Sequence, residues 1–145
     1  MAEVVHYQEN AGQAVKKIEG RIVTPHGVID GFLQLENGII TELSGEAAPK
    51  NAGFHPELPT IVPGFIDLHN HGGNGGAFPT GTQDQARNAA QYHREHGTTV
   101  MLASMVSAPA DALAAQVENL IPLCEEGLLC GIHLEGPFIN ACRCG

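Results

Sequence analysis

From Ile61 onward the sequence alternates between short apolar runs and longer amphipathic segments, and few folds accept that alternation. Ile61–Leu68, Thr98–Val106 and Leu128–Leu134 read as buried strands. Residues 83–96 read as a helix, with Ala86, Ala89, Ala90 and His93 on one face and Gly97 as its stop. A second helix follows Ser107, a good N-cap, with Pro109 in its first turn. Its apolar stripe is Leu113, Val117, Leu120, Ile121 and Cys124, and Gly127 closes the segment. Pro122 should kink or end that helix, because proline removes a backbone hydrogen bond. Strand–helix–strand–helix–strand implies parallel strands joined by crossover helices. Thr98–Val106 is nearly all apolar or β-branched, which suits a strand covered on both faces. The pattern by itself equally suits the start of a doubly wound sheet.

The preceding residues have a different period. Met1–Val15 shows none and reads as a mobile tail. Residues 20–25 form a strand ended by Pro25, and strands at 28–36 and 38–43 follow. Asn37-Gly38 between these two is a strong hairpin signal, because a type I′ turn needs positive φ at both central positions. Residues 44–60 read as a linker. His26 and His55 lie in turn or linker sequence with no second ligand nearby, and read as solvated.

Two stretches carry chemistry. The first is Pro63-Gly64-Phe65-Ile66-Asp67-Leu68-His69-Asn70-His71-Gly72-Gly73. Side chains alternate in a strand, so His69 and His71 share a face, with Asn70 opposite. Two imidazoles placed this way can both reach one cation, and the glycines leave the space above them open. Asp67 lies one pleat before His69 and reads as orienting a ligand. The second stretch is Gly131-Ile132-His133-Leu134-Glu135-Gly136-Pro137-Phe138. Glu135, at a strand end, is a ligand, a general base or a solvated loop residue; the residues alone leave these open. His133 shares its face but lies deeper, as a hydrogen-bonded histidine beneath the site. His93 and His96 read as half-buried and exposed, and neither as a ligand.

Composition narrows the partners. The net charge is −9, which argues against a nucleic acid. Between Asn51 and Cys142 the basic side chains besides histidine are Arg87 and Arg94, so most groups for an anionic substrate must come from elsewhere. No apolar run approaches the roughly 18 residues a membrane span needs, and no secretory h-region precedes Lys17. Cys124, Cys130, Cys142 and Cys144 form no Cys-x-x-Cys pair, and reduced thiols are expected. Cys130 reads as core. Cys142 and Cys144 are weighed as a redox or adventitious metal pair, against the commoner role of small apolar residues.

Pro63-Gly64-Phe65-Ile66-Asp67-x-His69-x-His71 resembles the first-strand signature of the amidohydrolase superfamily, which dihydroorotases and deaminases share. His133–Phe138, with Asn140 and Gly145 after it, is similar more narrowly to the N-acetylglucosamine-6-phosphate deacetylases. The resemblance runs from about Gly20 to the last residue and matches the opening part of a family member. It implies an α/β fold: residues 61–145 as the opening βαβαβ of a (β/α)₈ barrel, and residues 1–60 as a linker and strands of a small β-sandwich domain. Candidate ligands at the C-terminal ends of strands favour a barrel as well. At 145 residues the chain is shorter than the about 250 such a barrel typically needs, so it reads as part of a longer enzyme. The resemblance implies His69, His71 and Glu135 as ligands of one or two divalent cations, with Zn²⁺ expected. It implies that two further histidines and the aspartate acting as general acid and base lie beyond Gly145, leaving no catalytic residue in this chain. The implied reaction is hydrolysis of N-acetylglucosamine 6-phosphate to glucosamine 6-phosphate and acetate, in the cytoplasm, by a homo-oligomer when full length. Residues 1–145 alone are then expected to be inactive. The competing readings are another amidohydrolase, acting like a dihydroorotase, hydantoinase or deaminase, and a non-catalytic truncated product.

Overall fold

The structure, a computed structural model, describes residues 16–49 and 57–143. The chain divides into two compact units, residues 1–63 and 64–145. Expectations for Met1–Val15, His55 and Cys144 lie outside the described residues.

The first unit is a sheet of β1 (Lys16–Thr24), β2 (Gly27–Glu36), β3 (Ile39–Ala47) and β4 (Thr60–Ile61), in the order β3-β2-β1-β4. The first three strands are antiparallel neighbours, and β4 runs parallel to β1. Asn37 and Gly38 have φ of 52° and 78°, the left-handed pair that a type I′ turn requires. Strand β3 runs to Ala47, so the first residues of the expected linker are strand. Gly31 pairs with Gly45 there, and a Cβ on Gly45 would sit 2.7 Å from the Gly31 Cα. Arg21 and Asp30 face each other across β1 and β2 in a bidentate pair, Nε to Oδ1 at 2.7 Å and Nη2 to Oδ2 at 2.8 Å. His26 is exposed in the β1–β2 turn.

The second unit holds β5 (Phe65–Asn70), β6 (Gly72–Gly73), β7 (Gly76–Ala77), α1 (Gln83–Glu95), β8 (Thr98–Met105), α2 (Ala110–Glu125) and β9 (Gly131–Leu134). A 3₁₀ turn follows at residues 141–143. β5, β8 and β9 form a parallel sheet with β8 in the centre, as the strand–helix alternation predicts. The first expected strand divides: Thr60–Ile61 belongs to the other sheet, and β5 begins only at Phe65. Pro63, which has no N–H to give a ladder, lies between them. β5 is also not buried. Phe65, Ile66 and Leu68 are 63%, 67% and 61% exposed, because β5 is an edge strand whose outer side no described element covers.

Both helices pack on one face of the sheet. Met101, Ala103 and Met105 of β8 meet Ala86, Ala89 and Ala90 of α1, Leu120 and Leu123 of α2, and Phe78 in the core. Val100 and Leu102 on the other face are half-buried, so β8 is not covered on both sides as its composition suggests. Helix α1 starts with a capping box: the Gln85 N–H donates to Thr82 Oγ1 at 3.3 Å, and the Thr82 N–H donates to Gln85 Oε1 at 2.9 Å. It ends at Gly97, whose φ is +99°. Helix α2 begins after Pro109 with no side-chain cap, and Ser107 instead donates to the Glu135 carbonyl at 3.3 Å. Nor does Pro122 end α2, which runs on to Glu125. Proline forfeits one bond, while Leu120 and Leu123 on either side are fully buried and hold the turn. The stripe is correspondingly shifted, with Leu123 inside and Ile121 exposed. Cys130 is exposed, not core, because β9 begins one residue later.

Arg87 of α1 and Glu126 at the end of α2 form a bidentate pair, with Nη2 to Oε1 at 2.8 Å and Nη1 against Oε2. That hydrogen bonding holds the Glu126 carboxyl below the usual carboxylate range and raises the Arg87 guanidinium. No helix among the described residues is long and apolar enough to cross a membrane.

Leu120 is fully buried and Ile121 beside it is not. Leu120→Ala is therefore expected to lower the unfolding free energy by about 2–5 kcal/mol, and Ile121→Ala by clearly less. Urea denaturation of the two variants checks this; equal losses would contradict the packing described.

Candidate metal centre

At Asp67 the pairing of β5 with β8 breaks register and resumes at Asn70. Side chains take over the backbone bonds in the gap. The His69 N–H donates to Asp67 Oδ1 at 3.2 Å, and the Asn70 N–H donates to Ser104 Oγ at 3.0 Å. The bulge leaves His69 and His71 exposed on one side and Asn70 buried on the other. Glu135 reaches the same point from the end of β9, where its N–H donates to the Met105 carbonyl at 3.2 Å.

Three atoms converge there. His69 Nε2 and His71 Nε2 are 3.0 Å apart, and each is 3.1 Å from Glu135 Oε2. Donors at tetrahedral angles around a zinc ion at 2.0–2.1 Å lie about 3.3–3.4 Å apart, so the triangle has the size of a cation site. His71 Nδ1 lies 3.1 Å from the Ser104 carbonyl, which only accepts. Nδ1 therefore carries the proton, and in the neutral ring Nε2 presents a lone pair to the cluster. With the His71 lone pair turned inward, a carboxylate oxygen and two imidazole nitrogens form a donor set of the kind that suits a divalent cation. These three residues could hold a metal.

Around them stand side chains that support the cluster without joining it. Asp67 is hydrogen-bonded to neither imidazole; its Oδ2 accepts from Asn70 Nδ2 at 2.7 Å, so it shapes the backbone that carries the candidate ligands. His133 lies beside the triangle, with Nδ1 3.0 Å from Ser104 Oγ and its ring edge-on to His69 at 5.1 Å between centroids. Sequence reasoning missed Ser104. It is fully buried, and it meets Asn70 and His133 through its hydroxyl and His71 through its carbonyl. Nothing local marks it, since it is one small residue inside an apolar strand. Next to Glu135 a cleft opens, lined by Val106, Ser107, Pro137 and Ile139. Gly136, between Glu135 and Pro137, has a φ of +100° and a cis bond to Pro137; a side chain there would strike Ser107. Cys142 is exposed in the terminal turn and is not among the converging groups.

No family model matches the chain. Among curated proteins it is 30% identical over 131 residues to the N-acetylgalactosamine-6-phosphate deacetylase of Shewanella sp. (strain ANA-3), covering 85% of this chain and 32% of that protein. It is also 30% identical over 135 residues to the N-acetylglucosamine-6-phosphate deacetylase of Bacillus subtilis (strain 168), covering 86% of this chain and 34% of that one. Among solved structures it matches the N-acetyl-D-glucosamine-6-phosphate deacetylase of Mycobacterium smegmatis, in a variant complexed with N-acetyl-D-glucosamine-6-phosphate. The TM-score is 0.74 at 31% identity, over 92% of this chain and 35% of that one. The deacetylase of Thermotoga maritima matches with a TM-score of 0.69 at 25% identity, over 87% of this chain and 33% of that one. The chain thus spans about a third of the length of the relatives it matches. In sequence and in fold it is related to the N-acetylglucosamine-6-phosphate deacetylases of the amidohydrolase superfamily, with the opening βαβαβ of their barrel preceded by strands of the small β-sandwich domain.

Ser104→Ala removes the buried hydroxyl and leaves the Asn70 N–H and His133 Nδ1 without that partner. The expected cost is about 1–3 kcal/mol of stability, measured by urea denaturation. An unchanged midpoint would show that the hydroxyl is dispensable.

Proposed function

We propose that this chain supplies the metal-binding opening of an amide hydrolase that deacetylates N-acetylglucosamine 6-phosphate to glucosamine 6-phosphate and acetate. The observation that carries the reading is the convergence of His69, His71 and Glu135 at the ends of two parallel strands, 3.0–3.1 Å apart. That is the end of the strands where barrel enzymes place their chemistry. We assign residues 64–145 to the barrel and residues 1–63 to the β-sandwich strands and linker, three residues later than the sequence suggests because Thr60–Ile61 pairs with β1.

The three side chains would hold a divalent cation, which we take to be Zn²⁺, as one ion or as two with Glu135 touching both. When bound, such an ion supplies a hydroxide nucleophile near neutral pH and polarises the amide carbonyl. The chain's own residues set the frame for it. Ser104, through its carbonyl, keeps the His71 lone pair turned to the cluster. Asp67 and His133 hold the ligand-bearing backbone and the space beneath His69. The open cleft beside Glu135 leaves room for substrate.

Phosphate recognition needs cations that these residues scarcely offer. Arg87 is engaged by Glu126, and Arg94 leans toward the Gly127 carbonyl at 3.5 Å. The phosphate therefore meets Arg143, exposed in the last turn, or groups outside residues 57–143 or on another subunit of a homo-oligomer. We take the setting to be the cytoplasm, where thiols stay reduced. A second reading, N-acetylgalactosamine 6-phosphate as substrate, has support in the name of the Shewanella relative. A ring-opening amidohydrolase has no such support among the relatives named above.

In a complete barrel carrying these residues, Glu135→Ala or His71→Ala is expected to lower bound metal and cut acetate release by orders of magnitude. Metal analysis and acetate assays on the glucosamine and galactosamine epimers, the unphosphorylated sugar and dihydroorotate test the reading. Faster opening of the dihydroorotate ring, or full activity in Glu135→Ala, would overturn it. The described residues provide three of the eight parallel strands a barrel needs, and we assign the acid/base aspartate to the remainder of the enzyme. Expressed by themselves with added Zn²⁺, residues 1–145 are expected to release no acetate, and turnover near that of the complete enzyme would refute this.

A further inference from the structure

Helix α1 contributes no ligand, yet it reaches the metal cluster through one side chain. His93 is half-buried on the face of α1 that packs on the β6–β7 hairpin. Its Nε2 lies 3.2 Å from Asn70 Nδ2 and 3.0 Å from the Gly72 carbonyl. Those two residues flank His71 on either side. A bare Nε2 accepts from the amide, and a protonated Nε2 donates to the carbonyl, so either tautomer ties His93 to one flank.

Further bonds close the loop around His71. The Gly72 N–H donates to Asn70 Oδ1 at 2.8 Å, so the Asn70 side chain bridges across His71. The Phe78 N–H donates to the His71 carbonyl at 2.9 Å. Gly73 lets the hairpin lie flat on the imidazole, since a Cβ there would come 2.6 Å from His93 Nε2. Asn70 itself is 8% exposed, and its amide has these partners and Asp67. Among the described residues, His93 is thus a group from outside the strand that lies within hydrogen-bond distance of both neighbours of a candidate ligand and holds one of them in either tautomer.

We propose that His93 is a positioning residue for the metal centre: by holding Asn70 or Gly72, as its tautomer selects, it sets the backbone of His71, and with it the direction of the Nε2 lone pair. The proposal rests on the metal-binding reading of His69, His71 and Glu135. A ligand whose backbone is loosened must be reordered when the ion binds, so affinity falls although no ligand is lost. Removing such an outer partner typically costs about 10–100-fold in metal affinity.

The test titrates Co²⁺ into the full chain and follows its visible absorption. His93→Leu fills much of the space but forms no hydrogen bond, and is expected to weaken Co²⁺ binding by about 10–100-fold. His93→Gln, which can still meet the Gly72 carbonyl or the Asn70 amide, is expected to recover most of the loss. His96→Leu, at the exposed end of the same helix, is expected to bind as the unaltered chain does. Thermal unfolding of the metal-free proteins separates positioning from simple destabilisation: His93→Leu and His93→Gln should melt alike while their affinities differ. Equal affinity in His93→Leu and the unaltered chain overturns the inference alone. So does an equal loss in His96→Leu, or a loss in His93→Gln as large as in His93→Leu. Failure of the unaltered chain to take up Co²⁺ overturns the metal-binding reading and this inference with it.

Discussion

The two strands that carry the candidate ligands are not paired with each other; both are paired to β8, which lies between them. Adjacent strands are about 4.7–4.9 Å apart, so His71 and Glu135 must lean inward across two such spacings to come within 3.1 Å. What makes that lean workable is the residue at the crossing point. Ser104 is small, and its three polar contacts reach both flanking strands. Its neighbours on β8, Ala103 and Met105, face the other way and sit in the core with α1 and α2. One strand therefore anchors the helices with one face and gathers the polar cluster with the other. The parallel ladder fixes the register between the two jobs.

Much of this was legible because it depends on local chemistry. Asn37-Gly38 announces a turn, Gly97 ends a helix, and His69-x-His71 declares a shared face, each within a few residues. Some local signals were present but passed over. Thr82-x-x-Gln85 is a capping-box pattern, and Asn74-Gly75 makes a left-handed pair like the earlier one, with φ of 48° and 79°. Other features could not be read locally. Ser107 looks like an N-cap, but its hydroxyl bonds to Glu135, 28 residues away. Pro122 looks like a terminator, but burial of Leu120 and Leu123 outweighs the one bond it lacks. Ser104 and His93 matter through partners 21 to 34 residues distant, and no spacing in the sequence encodes those meetings.

Burial followed the same logic. Apolar residues in β5 were expected inside, yet they are exposed because a strand's cover comes from its neighbours and not from its own composition. β5 and β9 are the two outer strands of this three-stranded sheet, and each has one edge with no strand beside it. The residues of greatest chemical interest lie at the ends of these same outer strands. Order in the site is supplied from the inside, by β8 and α1.

The β6–β7 hairpin has an evolutionary consequence. A side chain at Gly72 would strike the Gly76 carbonyl, one at Gly73 would meet His93, and one at Gly76 would strike the Gln85 carbonyl. At Gly72 and Gly76 the obstacle is backbone, which cannot yield alone, so single substitutions there offer no gradual route to a bulkier hairpin beside His71. Gly75 at the tip has open space around it. Lineages that remodel this rim can do so by lengthening the tip between Asn74 and Gly76, while the flat base on α1 stays as it is.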